Sequence, residues 1–188
     1  MEQELNSQIE SKVKEILDKE LEARVGDALQ KKMQDESKAA FVASKGTMDM
    51  AYPPLILATT AAAMDIESAI FFTFYGLDIL HKKKYKKLKV PSLANPAMPV
   101  PMPNIVGVLP GMTAMATMMM NKWMGDENVP SIPDLIDMCI EGDVKLIACQ
   151  MTMDVMGVKR EDLIDDIEVG GAAMYMEWAS KCNITLFV

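Results

Sequence analysis

The chain has 188 residues, half of them apolar, enough to enclose the core of one ordinary domain with an extension. Its 27 acidic residues against 19 lysines and arginines leave a formal charge of −8, which excludes the broad basic face that nucleic-acid partners require. Three cysteines in so long a chain do not make a disulfide framework, and Met1-Glu2-Gln3-Glu4-Leu5 lacks the basic and apolar regions of a signal peptide, so a soluble cytoplasmic protein with reduced thiols is expected.

From residue 3 to about 36, Leu5, Ile9, Val13, Ile16, Leu17, Leu21, Val25, Leu29 and Met33 recur at three- or four-residue steps and predict one long amphipathic helix. Residues 1–37 are therefore read as an oligomerisation arm, with a helix folded back onto its own domain as the other reading. From Lys38 onward, residues 38–188 alternate short apolar runs with helical stretches, the pattern of βαβ units and a largely parallel sheet.

Ala39–Ala43 is the first predicted strand, followed by a helix over 48–64 that either kinks or starts late at Pro53-Pro54. Ser68–Phe74 is the second strand, and Gly76 to His81 begins a helix that runs into a lysine-rich stretch. No charge occurs from Val90 to Met120, but six prolines interrupt that segment, so a buried loop and helix or an interface is favoured over membrane contact. Helices are predicted over Met112–Met124 and Ile132–Glu141, the second with Ser131 and Pro133 suited to its cap and first turn. Val144–Cys149 is the third strand. Asp162–Asp166 reads as a short acidic helix, Gly170-Gly171 opens another through Lys181, and Ile184–Val188 is a closing strand.

Cys149 ends a buried strand and precedes a turn into a short helix. In parallel α/β sheets reacting groups gather beyond the carboxyl ends of strands, and a helix amino end there favours a thiolate. A nucleophile and an inert buried cysteine are both open at this point. Cys139 shares a helical face with Ile132, Leu135 and Ile136, so it is either core or a relay thiol for Cys149. Cys182 lies four residues after Trp178 on one face of the last helix and reads as core. His81 is the single histidine, which disfavours a Cys-His hydrolase. Lys82, Lys83, Lys84, Lys86, Lys87 and Lys89 form the concentrated basic patch of an acidic chain, suited to docking an acidic partner, to attracting a small anion, or to being a solvated helix end. The methionines from Met112 to Met124 read as adaptable packing, and no cysteines stand at zinc spacing.

The stretch Lys145-Leu146-Ile147-Ala148-Cys149-Gln150-Met151-Thr152-Met153-Asp154-Val155-Met156-Gly157 resembles the cysteine region of the DsrE2 branch of DsrE/DsrF-like proteins, members of which are sometimes labelled peroxiredoxin-like. Phe71 to Leu77, the methionine-rich helix at Met112–Met120 and Glu168 to Ala173 carry the same resemblance, which covers roughly residues 38–188. It implies a flavodoxin-like or Rossmann-like three-layer sandwich with a mostly parallel sheet, homo-oligomeric, preceded here by the long N-terminal helix. It further implies a sulfur carrier or persulfide sulfurtransferase that binds sulfane sulfur on Cys149 and passes it to a small carrier resembling TusA or to a rhodanese, without a cofactor. In that setting Phe72, Phe74, Met151 and Met153 are the expected pocket, and Lys82, Lys83, Lys84, Lys86 and Lys87 the partner-docking patch. A non-catalytic interaction protein or a membrane-associated protein of the same fold is the alternative.

Overall fold

A computed structural model describes residues 2–35, 37–91 and 111–188, with the side chains of 2–11 and 29–35 excepted. The chain divides into two compact units, Met1–Ser37 and Lys38–Val188.

The first unit is helix α1 (Glu2–Asp35). Val13, Ile16, Leu17, Leu21 and Val25 are all exposed, by 49–65%. The four-residue spacing of Val13, Leu17, Leu21 and Val25 exceeds the 3.6 residues of a turn, so each apolar side chain is rotated about 40° from the one before. The stripe spirals around α1 instead of running straight along it.

The second unit holds, in chain order, β1 (Lys38–Ala43), α2 (Met48–Ala63), β2 (Glu67–Phe72), α3 (Met112–Asp126), α4 (Ile132–Glu141), β3 (Lys145–Cys149), α5 (Gln150–Met156), β4 (Glu168–Gly170), α6 (Ala172–Ala179) and β5 (Ile184–Phe187). The strands form one parallel sheet in the order β4-β3-β2-β1-β5. Parallel crossovers are right-handed almost without exception. Three successive steps from β1 to β4 in one direction therefore lay their connections on one face, and the return from β4 to β5 crosses on the other. The result is a three-layer α/β sandwich with unequal covers.

Strand alternation distributes the apolar side chains accordingly. Ala39, Phe41, Ile70, Phe72, Leu146 and Ala148 face a large core closed by α2, α4 and Met153 of α5. Val42, Ala69, Phe71, Ile147 and Cys149 face a small cluster covered by Tyr175 and Trp178 of α6.

Several elements differ from the sequence-based expectation. Helix α2 begins at Met48, ahead of Pro53-Pro54, so there is no late start. Strand β2 stops at Phe72, because the chain turns into a 3-10 helix over Phe74–Ile79. The acidic helix expected at Asp162–Asp166 is instead a 3-10 turn, Arg160–Asp162, whose chain is tied to the segment after β2. Lys82 N–H donates to the Asp162 carbonyl at 2.9 Å, and Ile164 N–H to that of Leu80 at 3.0 Å. Strand β4 falls where no strand is predicted, since three residues ending in glycine carry too little apolar pattern. Helix α4 begins with a capping box, in which Asp134 N–H donates to Ser131 Oγ and the Asp134 carboxylate accepts from Ser131 N–H at 3.0 Å. The Ser131 hydroxyl, which donates to the Asp134 carboxylate at 2.6 Å, and then the Ser131 N–H hold that carboxyl below the usual carboxylate range.

Of the apolar segment 90–120, residues 92–110 lie outside the described residues. Its remainder opens α3, from which Ala116, Met120 and Met124 pack against the large core. No helix among the described residues is long and apolar enough to cross a membrane.

Candidate functional site

Cys149 is the last residue of β3 and the cap residue of α5. Its register partner is Gly170 at the end of β4, and the next residue, Gly171, caps α6. The chain leaves β3 toward the large core, through α5 and Met153, and leaves β4 toward the opposite face, through α6. Neighbouring strands whose connections part in this way open a crevice at their carboxyl ends, the usual position of a site in an open parallel sheet. Cys149 ends β3 at that point.

Its thiol is enclosed, the residue being 3% exposed among Val42, Ala69, Phe71 and Ile147. In the same cluster the Phe71 and Tyr175 rings stack at 5.0 Å between centroids. Burial, and to a lesser degree Cys182, push the Tyr175 phenol above its ordinary value. Trp178 anchors α6 at the amino-terminal end of the sheet, where its indole N–H donates to the Ala39 carbonyl at 3.4 Å. The ammonium groups of Lys38 and Lys145 stand 4.9 and 5.0 Å from its ring centroid.

Threonine 152 organises the loop beside this crevice. Thr152, on α5, is 2% exposed, and its hydroxyl is 3.1 Å from that of Thr73 while accepting the Phe74 N–H at 3.2 Å. Phe74 adopts φ 47°, a left-handed conformation that a bulky side chain seldom takes and that costs of order 1–3 kcal/mol. The threonine bond supports that conformation. Thr152→Val keeps the shape but removes both contacts, and a loss of about 1–3 kcal/mol in urea unfolding is expected. An unchanged midpoint would mean that the loop holds itself.

The four side chains expected to form a pocket are not brought together. Phe72 registers with Ala148, one residue short of Cys149, so it faces the large core with Met153. Phe74 and Met151 are exposed, by 56% and 61%. The cluster that holds Cys149 is instead made by Val42, Ala69, Phe71 and Ile147 under Tyr175 and Trp178 of α6, none of them among the expected pocket residues. For Phe71 the available signal was strand alternation, since it and Cys149 both point away from the large core.

Cys139 is fully buried in the large core, on the other side of the sheet from the Cys149 side chain. Burial pushes its thiol up to about 12, which keeps it protonated at neutral pH. Cys182 is half-buried, its Sγ 3.4 Å from the Trp178 carbonyl. Burial raises its thiol and the nearby Lys38 opposes the shift. His81 accepts the Lys83 N–H on Nδ1 at 3.2 Å and bridges to Leu163. The lysine run divides: Lys82 pairs with Asp165 at 2.8 Å, Lys84 with Asp78 at 2.6 Å, and Lys86 lies over the Tyr85 ring. No cluster of three or more histidine, cysteine or acidic side chains able to hold a metal occurs among the described residues.

The sequence profile of the DsrE/DsrF/DrsH-like family matches residues 35–187, which include Cys149, all five strands and α6. The chain belongs to the DsrE/DsrF/DrsH-like family. A protein of Allochromatium vinosum named Sulfur carrier protein DsrE2 is 45% identical over 160 residues, covering 82% of this chain and 99% of that relative. The Bacillus subtilis protein YrkE, described as uncharacterized, is 33% identical over 158 residues, with 82% and 99% covered. The crystal structure of the ychN protein from E. coli aligns with 81% of this chain and 99% of its own at 12% identity and a TM-score of 0.46.

Proposed function

We propose that this protein is a sulfur carrier in which Cys149 takes up sulfane sulfur and hands it to a thiol on a partner protein. The observation that carries the reading is the position of Cys149 at the carboxyl end of β3, where the connections from β3 and β4 part. The naming of a 45% identical relative as a sulfur carrier supports it.

The chemistry is an exchange in two balanced steps. The Cys149 thiolate attacks the outer sulfur of a donor persulfide, forming a new S–S bond as the old one breaks, and the donor leaves as a thiolate. An acceptor thiolate then attacks the same outer sulfur, and Cys149 departs as thiolate. No net oxidant, reductant or cofactor is consumed. Burial among Val42, Phe71, Ile147 and Tyr175 limits water and stray thiols at the held sulfur. The acceptor is a small carrier of the TusA kind or a rhodanese, each of which presents an accessible thiol.

The test is intact mass after incubation with polysulfide, then after mixing with a TusA-like carrier. A gain of roughly one sulfur atom per chain, moved to the carrier on mixing, is the expected result. A chain that takes up no sulfur refutes the carrier reading, and one that loads but never unloads refutes the transfer step.

The exposure of Val13, Ile16, Leu17, Leu21 and Val25 supports a second part of the reading, that α1 is an assembly arm between copies. Placing lysine at Leu17 and Leu21 in the full chain should lower the mass seen by light scattering. An unchanged assembly would remove α1 from that role.

A further inference from the structure

We propose that the open cavity of about 370 Å³ beside the amino end of α2 binds a small molecule bearing a multiply charged oxyanion of the phosphate or sulfate type. Four lysines, Lys83, Lys84, Lys87 and Lys89, line it together with Thr47 and a single carboxylate, Asp78. Asp78 is already taken by Lys84 at 2.6 Å. Lys83, Lys87 and Lys89 have no acidic partner among the described residues. Three uncompensated ammonium groups thus share one hollow in a chain of net charge −8.

A larger hollow nearby makes the contrast. It measures about 690 Å³ and is lined by Lys82, Lys159, Arg160, Glu161 and Asp165. There Lys82 pairs with Asp165, Lys159 with Glu161, and the Arg160 guanidinium donates to the carbonyls of Ile164 and Asp165. Its cations are satisfied from within, whereas those of the smaller cavity are not.

The backbone holds the unsatisfied cations in place around the hollow. Met48, the first residue of α2, donates its N–H to the Lys89 carbonyl at 2.9 Å, which fastens the lysine segment to the helix start. Thr47 caps α2 in an extended conformation, yet its side chain makes no capping bond, leaving a hydroxyl for a ligand. The N–H groups of Met50 and Ala51 already bond to the Thr47 carbonyl. The anion is therefore held by the ammonium groups and the hydroxyl, not by a cradle of amides. Asp49 in the first turn is exposed and does not line the cavity.

The concave shape favours a small anion over the acidic face of a protein. Cavities from about 300 Å³ upward accommodate small ligands. The two lysines of the run that do not line the cavity, Lys82 and Lys86, are engaged elsewhere, with Asp165 and the Tyr85 ring. Lys89 joins from beyond the run's 3-10 turn, Tyr85–Lys87. This inference goes beyond the sulfur chemistry and makes no use of Cys149.

Titration calorimetry of the full chain with inorganic phosphate, sulfate and thiosulfate, at ionic strength fixed with chloride, tests it. Saturable binding of at least one of the three is expected. Lys83→Gln, Lys87→Gln and Lys89→Gln combined should weaken it by about tenfold or more, because charge-assisted bonds are lost. Thr47→Val should weaken it several-fold, while Cys149→Ala should leave it unchanged, so that failure here is distinct from failure of the carrier reading. Heats that follow ionic strength alone, or a triple variant that binds like the native chain, would overturn the site. So would a native chain that binds none of these anions while the triple variant loses capture of an acidic carrier protein.

Discussion

Cys149→Ser abolishes the sulfur-dependent gain in mass, because a hydroxyl cannot form the S–S bond of a persulfide. This is the largest functional effect expected of any single substitution in the chain. The serine hydroxyl would enter a cluster of buried apolar side chains, so the variant should also lose about 1–3 kcal/mol of stability. Cys149→Ala, which places no polar atom there, separates the two effects: it should retain a better fold and still fail to load. Cys182→Ser should load normally. Cys139→Ser should load normally too, since its native thiol stays protonated and lies across the sheet, although it will be less stable for the same reason as the serine at Cys149. Normal loading of both Cys149 variants would end the carrier assignment of that thiol. Lost transfer with preserved loading in Cys139→Ser would restore it as a relay.

Gly76→Ala is the substitution expected to damage the fold most for the fewest atoms added. A Cβ on Gly76 would stand 2.1 Å from the Ala43 carbonyl oxygen and 2.8 Å from its carbon. Neither is the end of a flexible side chain. Gly76 N–H also donates to the Thr73 carbonyl at 2.9 Å, so its segment is bound where it is. The segment after β2 would have to withdraw from the end of β1, disturbing Phe74 and the Thr73–Thr152 contact beside the thiol. A cost of about 3 kcal/mol or more follows, at the upper end for overpacking into a rigid site. Gly125→Ala is the control, since nothing lies within 4 Å of a Cβ there and α3 gains a better helix former. Urea midpoints should fall sharply for the first and hold or rise for the second. Equal midpoints would show that the loop adjusts freely.

The parallel α/β character of residues 38–188 was legible because β1, β2 and β3 are continuous apolar runs and α4 carries a complete capping signal at Ser131. Strand β4 was not legible, because Glu168–Gly170 pairs through its backbone and contributes little side-chain pattern. Cys149 could be placed at a strand end from sequence, but its surroundings could not. Those depend on the strand order, which reverses at β1 and sends α6 to the less covered face. Phe72 and Met153 are near Cys149 in the pattern of strand ends and helices, yet strand and helix geometry turn both toward the other core. The role of Thr152 was hidden for a related reason: it depends on Phe74 departing from the strand, a change of backbone region that no local propensity announces.

The enclosure of Cys149 under α6 governs how the thiol can be observed from outside. With the residue 3% exposed, an alkylating reagent meets it only in conformers where the cover has lifted. When closing is faster than labelling, the measured rate is the product of intrinsic thiol reactivity and the fraction of molecules open at any instant. Labelling kinetics at Cys149 are thus a gauge of how often α6 breathes, and a slow rate there says nothing by itself about the nucleophilicity of the sulfur.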